Sequence, residues 1–162
     1  MKITHQQLAK DAVDLVKPAI DKLFEQTNRK ELHIVIMDPR VKQWEAKFED
    51  AILYEESIQN TPWTLPFDDF ARKKAAQAWR DGRANIHHQT SQPSSLREGD
   101  VLFYGSFVYG DVVVACSGVQ QWFDMLVSGW IAVAFEQLAI SHYQQEKTDH
   151  PTKMYLATDS DA

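Results

Sequence analysis

The stretch from Gly99 to Tyr143 constrains this chain more than any other. It reads as a strand, a tight turn, a second strand, a Ser-Gly corner and a long apolar helix. Val101 to Val108 makes the first strand, and Gly110 in Tyr109-Gly110-Asp111 supplies the positive φ of a tight hairpin turn. Val112-Val113-Val114-Ala115-Cys116 is continuously apolar, the pattern of a strand covered on both faces. From Gln120 to Ile140 few residues interrupt the apolar run; Asp124, Ser128 and Glu136 are among them. A helix apolar nearly all round must be covered on most sides. The rest of the chain, or another subunit, has to shield it.

The upstream chain offers that shield. Thr4-His5-Gln6-Gln7 has the spacing of a capping box, and Leu8, Ala12, Leu15, Val16, Ala19, Ile20 and Leu23 share one helical face. Pro18 lies inside this helix and predicts a kink or a split near Val16-Lys17. Leu32 to Met37 reads as a buried strand closed by Asp38-Pro39, and Ala51 to Glu55 as its hairpin partner. Trp44 to Phe48 either extends that partner or forms a short insertion. Asn60 to Trp63 is a loop. Thr64 is placed to cap a second helix, with Pro66, Asp68 and Asp69 suited to its first turn. Phe67, Phe70, Ala71, Ala75, Ala78 and Trp79 line its inner face, and Gly82 ends it. Ile86 to Gln89 reads as a short strand or loop, and Thr90 to Asp100 as a surface connection. The order helix, strand, strand, helix, strand, strand, helix gives an α+β fold, an antiparallel sheet with helices packed on it. A single domain spans residues 1–145, and a polar tail spans 146–162.

The 162 residues carry a net charge of −6, which argues against non-specific nucleic-acid binding. A single cysteine excludes an internal disulfide and fits a reducing compartment. The first residues lack the apolar core of a secretory signal. Met125 to Phe135 is 11 residues without a charge, short of the roughly 20 that span a bilayer. A cytoplasmic location with no membrane partner is expected.

Several short motifs resemble the GlcG/HbpS-like family, the so-called haem-degrading domain. Ala71-Arg72-Lys73-Lys74-Ala75-Ala76-Gln77-Ala78 is similar to its helix motif A-x-x-K-A-x-x-A. Tyr104-Gly105-Ser106, Gly110 to Ala115, Ser117-Gly118 and Asp124 resemble its glycine-rich hairpin, valine-rich strand, Ser-Gly corner and the acid that opens its last helix. Trp63 followed by Arg72-Lys73 resembles the W…RK pattern of an uncharacterised branch. The likeness runs from Leu8 to Ile140. The family's double glycine is here Gly105-Ser106, and Met125 replaces a second acid after Asp124. The resemblance implies a sheet of about five antiparallel strands with profilin-like layering, symmetric oligomers, and a ligand cleft shaped by the hairpin and corner. It implies haem binding in some members and links to small oxygenated metabolites in others.

Candidate residues follow from chemistry and from that likeness. His87 and His88 are the candidate haem ligands, against a reading as a polar loop pair. Arg72, Lys73 and Lys74 form a basic helix face, able to hold propionates or a small carboxylate, or simply solvated. Lys74 sits nearer the apolar stripe and is placed to pair with Asp124. Ser117, Gly118 and Asp124 make either an anion site at a helix start or a helix cap. Cys116, at the end of a buried strand, reads as inert packing. Three functions stay open: an oligomeric small-ligand binder, an enzyme using Asp124 or a histidine as general base, and a ligand-free scaffold. Trp122, Phe123, Met125, Trp130 and Phe135 on the last helix read as core, as a subunit interface or as the apolar wall of a cleft for a flat ligand, and a homo-oligomer through the 120–140 helix is expected.

Overall fold

The computed structural model describes residues 3–59 and 62–155. Helix α1 is His5–Thr27, started by the Thr4 hydroxyl, which accepts the Gln7 N–H at 3.1 Å. It buries Leu8, Ala12, Val13, Val16, Ile20 and Leu23 along one side. The predicted break at Pro18 does not occur, and α1 is continuous through it. Pro18 lies on the exposed side, where carbonyls tilt outward to water and leave room for the ring. Asn28, at φ 53°, turns the chain out of α1 into strand β1, Leu32–Met37, every residue of which is buried.

A short 3-10 turn, Phe48–Ala51, leads into β2, Ile52–Ile58, so the doubtful Trp44 to Phe48 segment inserts before the strand rather than extending it. Helix α2 is Phe67–Asp81 and stops at Gly82, whose φ is 68°. Thr64 does not cap it. Its hydroxyl instead donates to Glu31 at 3.3 Å, and α2 begins after Pro66 without a side-chain cap. The segment read as strand or loop is a helix, α3, Asn85–Ser91. Strand β3 is Ser106–Tyr109, β4 is Val112–Ser117, and α4 is Gln121–Asp149.

The sheet is four antiparallel strands in the order β2-β1-β4-β3, one fewer than about five. The long strand expected from Val101 shrinks to β3 because its partner runs out. The last ladder contact is the Cys116 N–H to the Gly105 carbonyl, and β4 then turns away at Ser117-Gly118. Val101 to Tyr104 has no strand to pair with, and the Val101 carbonyl and Tyr104 N–H bond instead to the side chains of Gln89 and Gln121.

Alternation along β1 and β4 divides the interior. Ile34, Ile36, Val112, Val114 and Cys116 face α1 and α4. Val35, Met37, Val113 and Ala115 face the alanine side of α2. The fold is therefore α+β, helices on both faces of an antiparallel sheet. Helix α4 runs past the expected domain end at 145 to Asp149, and Glu146 is buried beside Lys153. Residues 156–162 of the expected tail lie outside the described residues.

The rest of the chain covers α4 only in part, and one side is left to another subunit. Trp122, Leu126, Val133, Ile140 and Tyr143 are exposed along it. By length and composition α4 is also sufficient to cross a membrane, contrary to the count from Met125 to Phe135, although a third of its most apolar window is buried in the fold.

Candidate functional site

The corner between β4 and α4 is built on close backbone packing. Gly118 has φ 148°, and a Cβ there would stand 2.1 Å from the Glu31 carbonyl oxygen. Gly105 is equally enclosed: a Cβ would meet the Cys116 carbonyl at 2.6 Å, Lys74 Nζ at 2.8 Å and Asp124 Cβ at 2.9 Å. These two glycines let a charged pair sit inside the fold.

Lys74 comes from the buried side of α2 and Asp124 from the first turn of α4, and both are almost wholly buried. Lys74 Nζ donates to Asp124 Oδ2 at 3.2 Å, to the Cys116 carbonyl at 3.1 Å and to Ser117 Oγ at 3.2 Å. All three ammonium protons are thereby used. The other carboxylate oxygen of Asp124 accepts the Val119 N–H at 2.9 Å. Burial pushes the Asp124 carboxyl up, while Lys74 and the Val119 and Gly118 N–H groups oppose the rise without cancelling it. Neighbouring Cys116 is fully buried, which pushes its thiol up to about 12. It is unreactive packing, as the sequence indicates.

Above the pair lies a cavity of about 340 Å³. Lys74, Ser117 and Asp124 form its floor. Phe67, Phe70, Phe103 and Trp122 wall it, with Arg29 and Thr64 at the rim. Leu65, Val119, Gln120 and Gln121 complete the lining, and Gln120 Oε1 is buried without a hydrogen-bond partner among the described residues. In α4 the Phe123 and Asp124 N–H groups both donate to the Gln120 carbonyl, at 2.9 and 2.8 Å. The Gln121 and Trp122 N–H groups have no carbonyl within the helix.

Of the candidate residues, the fold brings Lys74, Ser117, Gly118 and Asp124 together. The expected Lys74–Asp124 pairing is present. Arg72 and Lys73 are elsewhere: Arg72 holds Glu55 at 2.7 Å and Lys73 holds Asp69 at 3.1 Å, beside a separate open groove. Arg72 also stabilises a cluster that sequence reasoning did not find. His33 Nε2 is 3.0 Å from Glu55 and its Nδ1 is 2.8 Å from Ser57 Oγ.

His87 and His88 do not share a pocket. His88 is buried against Ser95, its Nε2 3.7 Å from Asp81 and without a hydrogen bond among the described residues. Burial lowers its pKa, against the pull of Asp81. His87 is on the outside of α3 near Arg83.

This cavity does not fit haem. The cavity lining has no His, Cys, Met or Tyr to ligate iron. No group of three or more His, Cys, Asp or Glu side chains is placed to hold a metal ion among the described residues. Comparisons with family models, with curated proteins and with solved structures find no match to this chain.

The aromatic walls and Arg29 escaped the sequence reading. Phe67 and Phe70 are legible as the apolar side of a helix, but not as a cavity wall. Phe103 was assigned to a strand. Only Trp122, next to the corner, carried a signal.

Proposed function

We propose that this chain is a small-ligand-binding protein whose site is the cavity above the Lys74–Asp124 pair. Its ligand is a small carboxylate with a flat apolar body. The observation that carries this reading is a cavity with aromatic walls and a buried charged floor. Phe67, Phe70, Phe103 and Trp122 suit an apolar body. Arg29 and the first N–H groups of α4, which have no acceptor within the helix, suit its anionic head. The likeness to the GlcG/HbpS-like family adds support, because that family's cleft is shaped by the corresponding corner.

A second reading is an enzyme using Asp124 as general base. It is favoured by the raised pKa of a carboxyl that lines a cavity. Both oxygens of that carboxyl are already hydrogen-bonded, so binding is the stronger reading.

Titration with benzoate, benzamide and hemin, followed by calorimetry and tryptophan fluorescence, tests it. Benzoate is expected to bind, benzamide to bind at least about tenfold more weakly, and Arg29→Gln to erase the difference. Saturable hemin binding with a shifted Soret band, and no binding of benzoate or other small carboxylates, overturns the reading.

A further inference from the structure

An apolar groove of about 820 Å³ runs over α4, walled by Leu15 of α1, Phe107 of β3 and the outward side of α4. The exposed apolar residues of α4 step from Trp122 to Leu126, Val133, Ile140 and Tyr143. Those steps of four, seven, seven and three residues place the five on one heptad stripe, whose two remaining positions are Gly129 and Glu136. The five are 54%, 41%, 39%, 43% and 45% exposed, and Leu15 is 64% exposed. With Leu15 they offer roughly 600 Å² of surface, most of the roughly 800 Å² per partner of a stable interface.

The stripe is also nearly symmetric. Leu126 and Ile140 lie seven residues either side of Val133, and Trp122 and Tyr143 lie eleven and ten. Two antiparallel copies of α4 crossing at Val133 would set each exposed residue against another of the set. Trp122 lines both the groove and the ligand cavity.

We propose that a second copy of this chain docks antiparallel along α4, with Val133 on the two-fold axis and the partner subunit's Tyr143 against Trp122 at the edge of the cavity. Dimerisation and ligand binding are then coupled. The coupling rests on the small-carboxylate reading; the dimer does not.

Sedimentation equilibrium of the full chain at micromolar concentrations tests the dimer. A dimer is expected, and Val133→Asp, which sets two carboxylates on the axis, weakens it at least about 100-fold. Val133→Cys is expected to cross-link to itself on oxidation, because the axis brings its two copies within disulfide reach. Native Cys116 is buried and does not compete. Thermal melts establish that both variants fold. Three results overturn the dimer: a monomeric wild type, including one that binds phosphatidylcholine vesicles instead; a folded Val133→Cys dimer that does not cross-link; or an unchanged mass for Val133→Asp.

Benzoate titration separates the two parts. At least about tenfold tighter binding by wild type than by Val133→Asp supports the coupling. Equal binding overturns the coupling alone. A cross-linked dimer that binds no carboxylate removes the ligand reading and leaves the dimer standing.

Discussion

At the scale of single residues, the corner depends on what two glycines leave out and on how one charge pair is satisfied. Gly118→Ala forces a side chain into the Glu31 carbonyl and strains a backbone at φ 148°. A loss above about 3 kcal/mol is expected by urea denaturation, and an unchanged midpoint would mean that the strand–helix corner can move. The Lys74–Asp124 pair gives a sharper test. Lys74→Met leaves a buried carboxylate without its cation, at a cost of about 3–5 kcal/mol. Adding Asp124→Asn removes the charge and keeps an acceptor for the Val119 N–H. The double variant is expected to regain about 2 kcal/mol over Lys74→Met, whereas additive losses would show that the two groups do not interact. The pair is legible in the sequence because Lys74 sits near an apolar stripe, Asp124 interrupts an apolar helix, and both match positions of the family the chain resembles. It did not find the environment of Gly118, since a Ser-Gly dipeptide says nothing of the Glu31 backbone that comes against it.

At the scale of elements, the segment from Arg83 to Asp100 is held by polar contacts rather than by a core of its own. Asn85 is its anchor: its N–H donates to Ser106 Oγ at 2.9 Å, its Oδ1 accepts the Ser106 N–H at 3.0 Å, and its amide reaches Gln77 at 2.7 Å. Asp100 ties the far end to α2 through Arg80, at 3.1 Å, and Gln77, at 3.0 Å. This explains why Ile86 to Gln89 reads as strand or loop in the sequence. A short polar helix fixed by its neighbours has no apolar period to detect. Burial raises the Asp100 carboxyl, but Arg80, the Arg97 N–H and Gln77 together reverse that, and the net position is below the ordinary 3.8. A carboxyl depressed on folding stabilises the fold above its unfolded pKa, and that contribution is lost as pH falls through the folded value. The loss therefore begins below about pH 4. Asp100→Asn is expected to lower the melting temperature at neutral pH and to narrow its gap from wild type below that pH. A gap independent of pH would mean that the Asp100 charge contributes nothing.

At the scale of the whole molecule, the two faces of the sheet are unequal. One side joins two helices, 23 and 29 residues long, through large residues such as Phe135, Ile131, Leu8 and Ile20. The other is a single 15-residue helix laid down through Ala71, Ala75 and Ala78. The layering was legible because apolar periods mark α1, α2 and β1, and because β4 is apolar without a break. The strand count was not legible, since the end of a ladder is set by where its partner turns away. Which residues of α4 are left exposed was not legible either, because composition cannot tell a core stripe from an interface. Less apolar area is buried under α2, so this layer has less to hold it against opening. Native-state hydrogen exchange is expected to show α2 and α3 opening at a lower free energy than β1, α1 and the first half of α4, whose amides exchange only on global unfolding. The difference is expected to shrink as urea rises, because sub-global openings expose less surface than complete unfolding. Equal exchange free energies across both layers would mean that the sheet transmits every opening, and that the charged pair, with one partner on each face, locks the layers into a single unit.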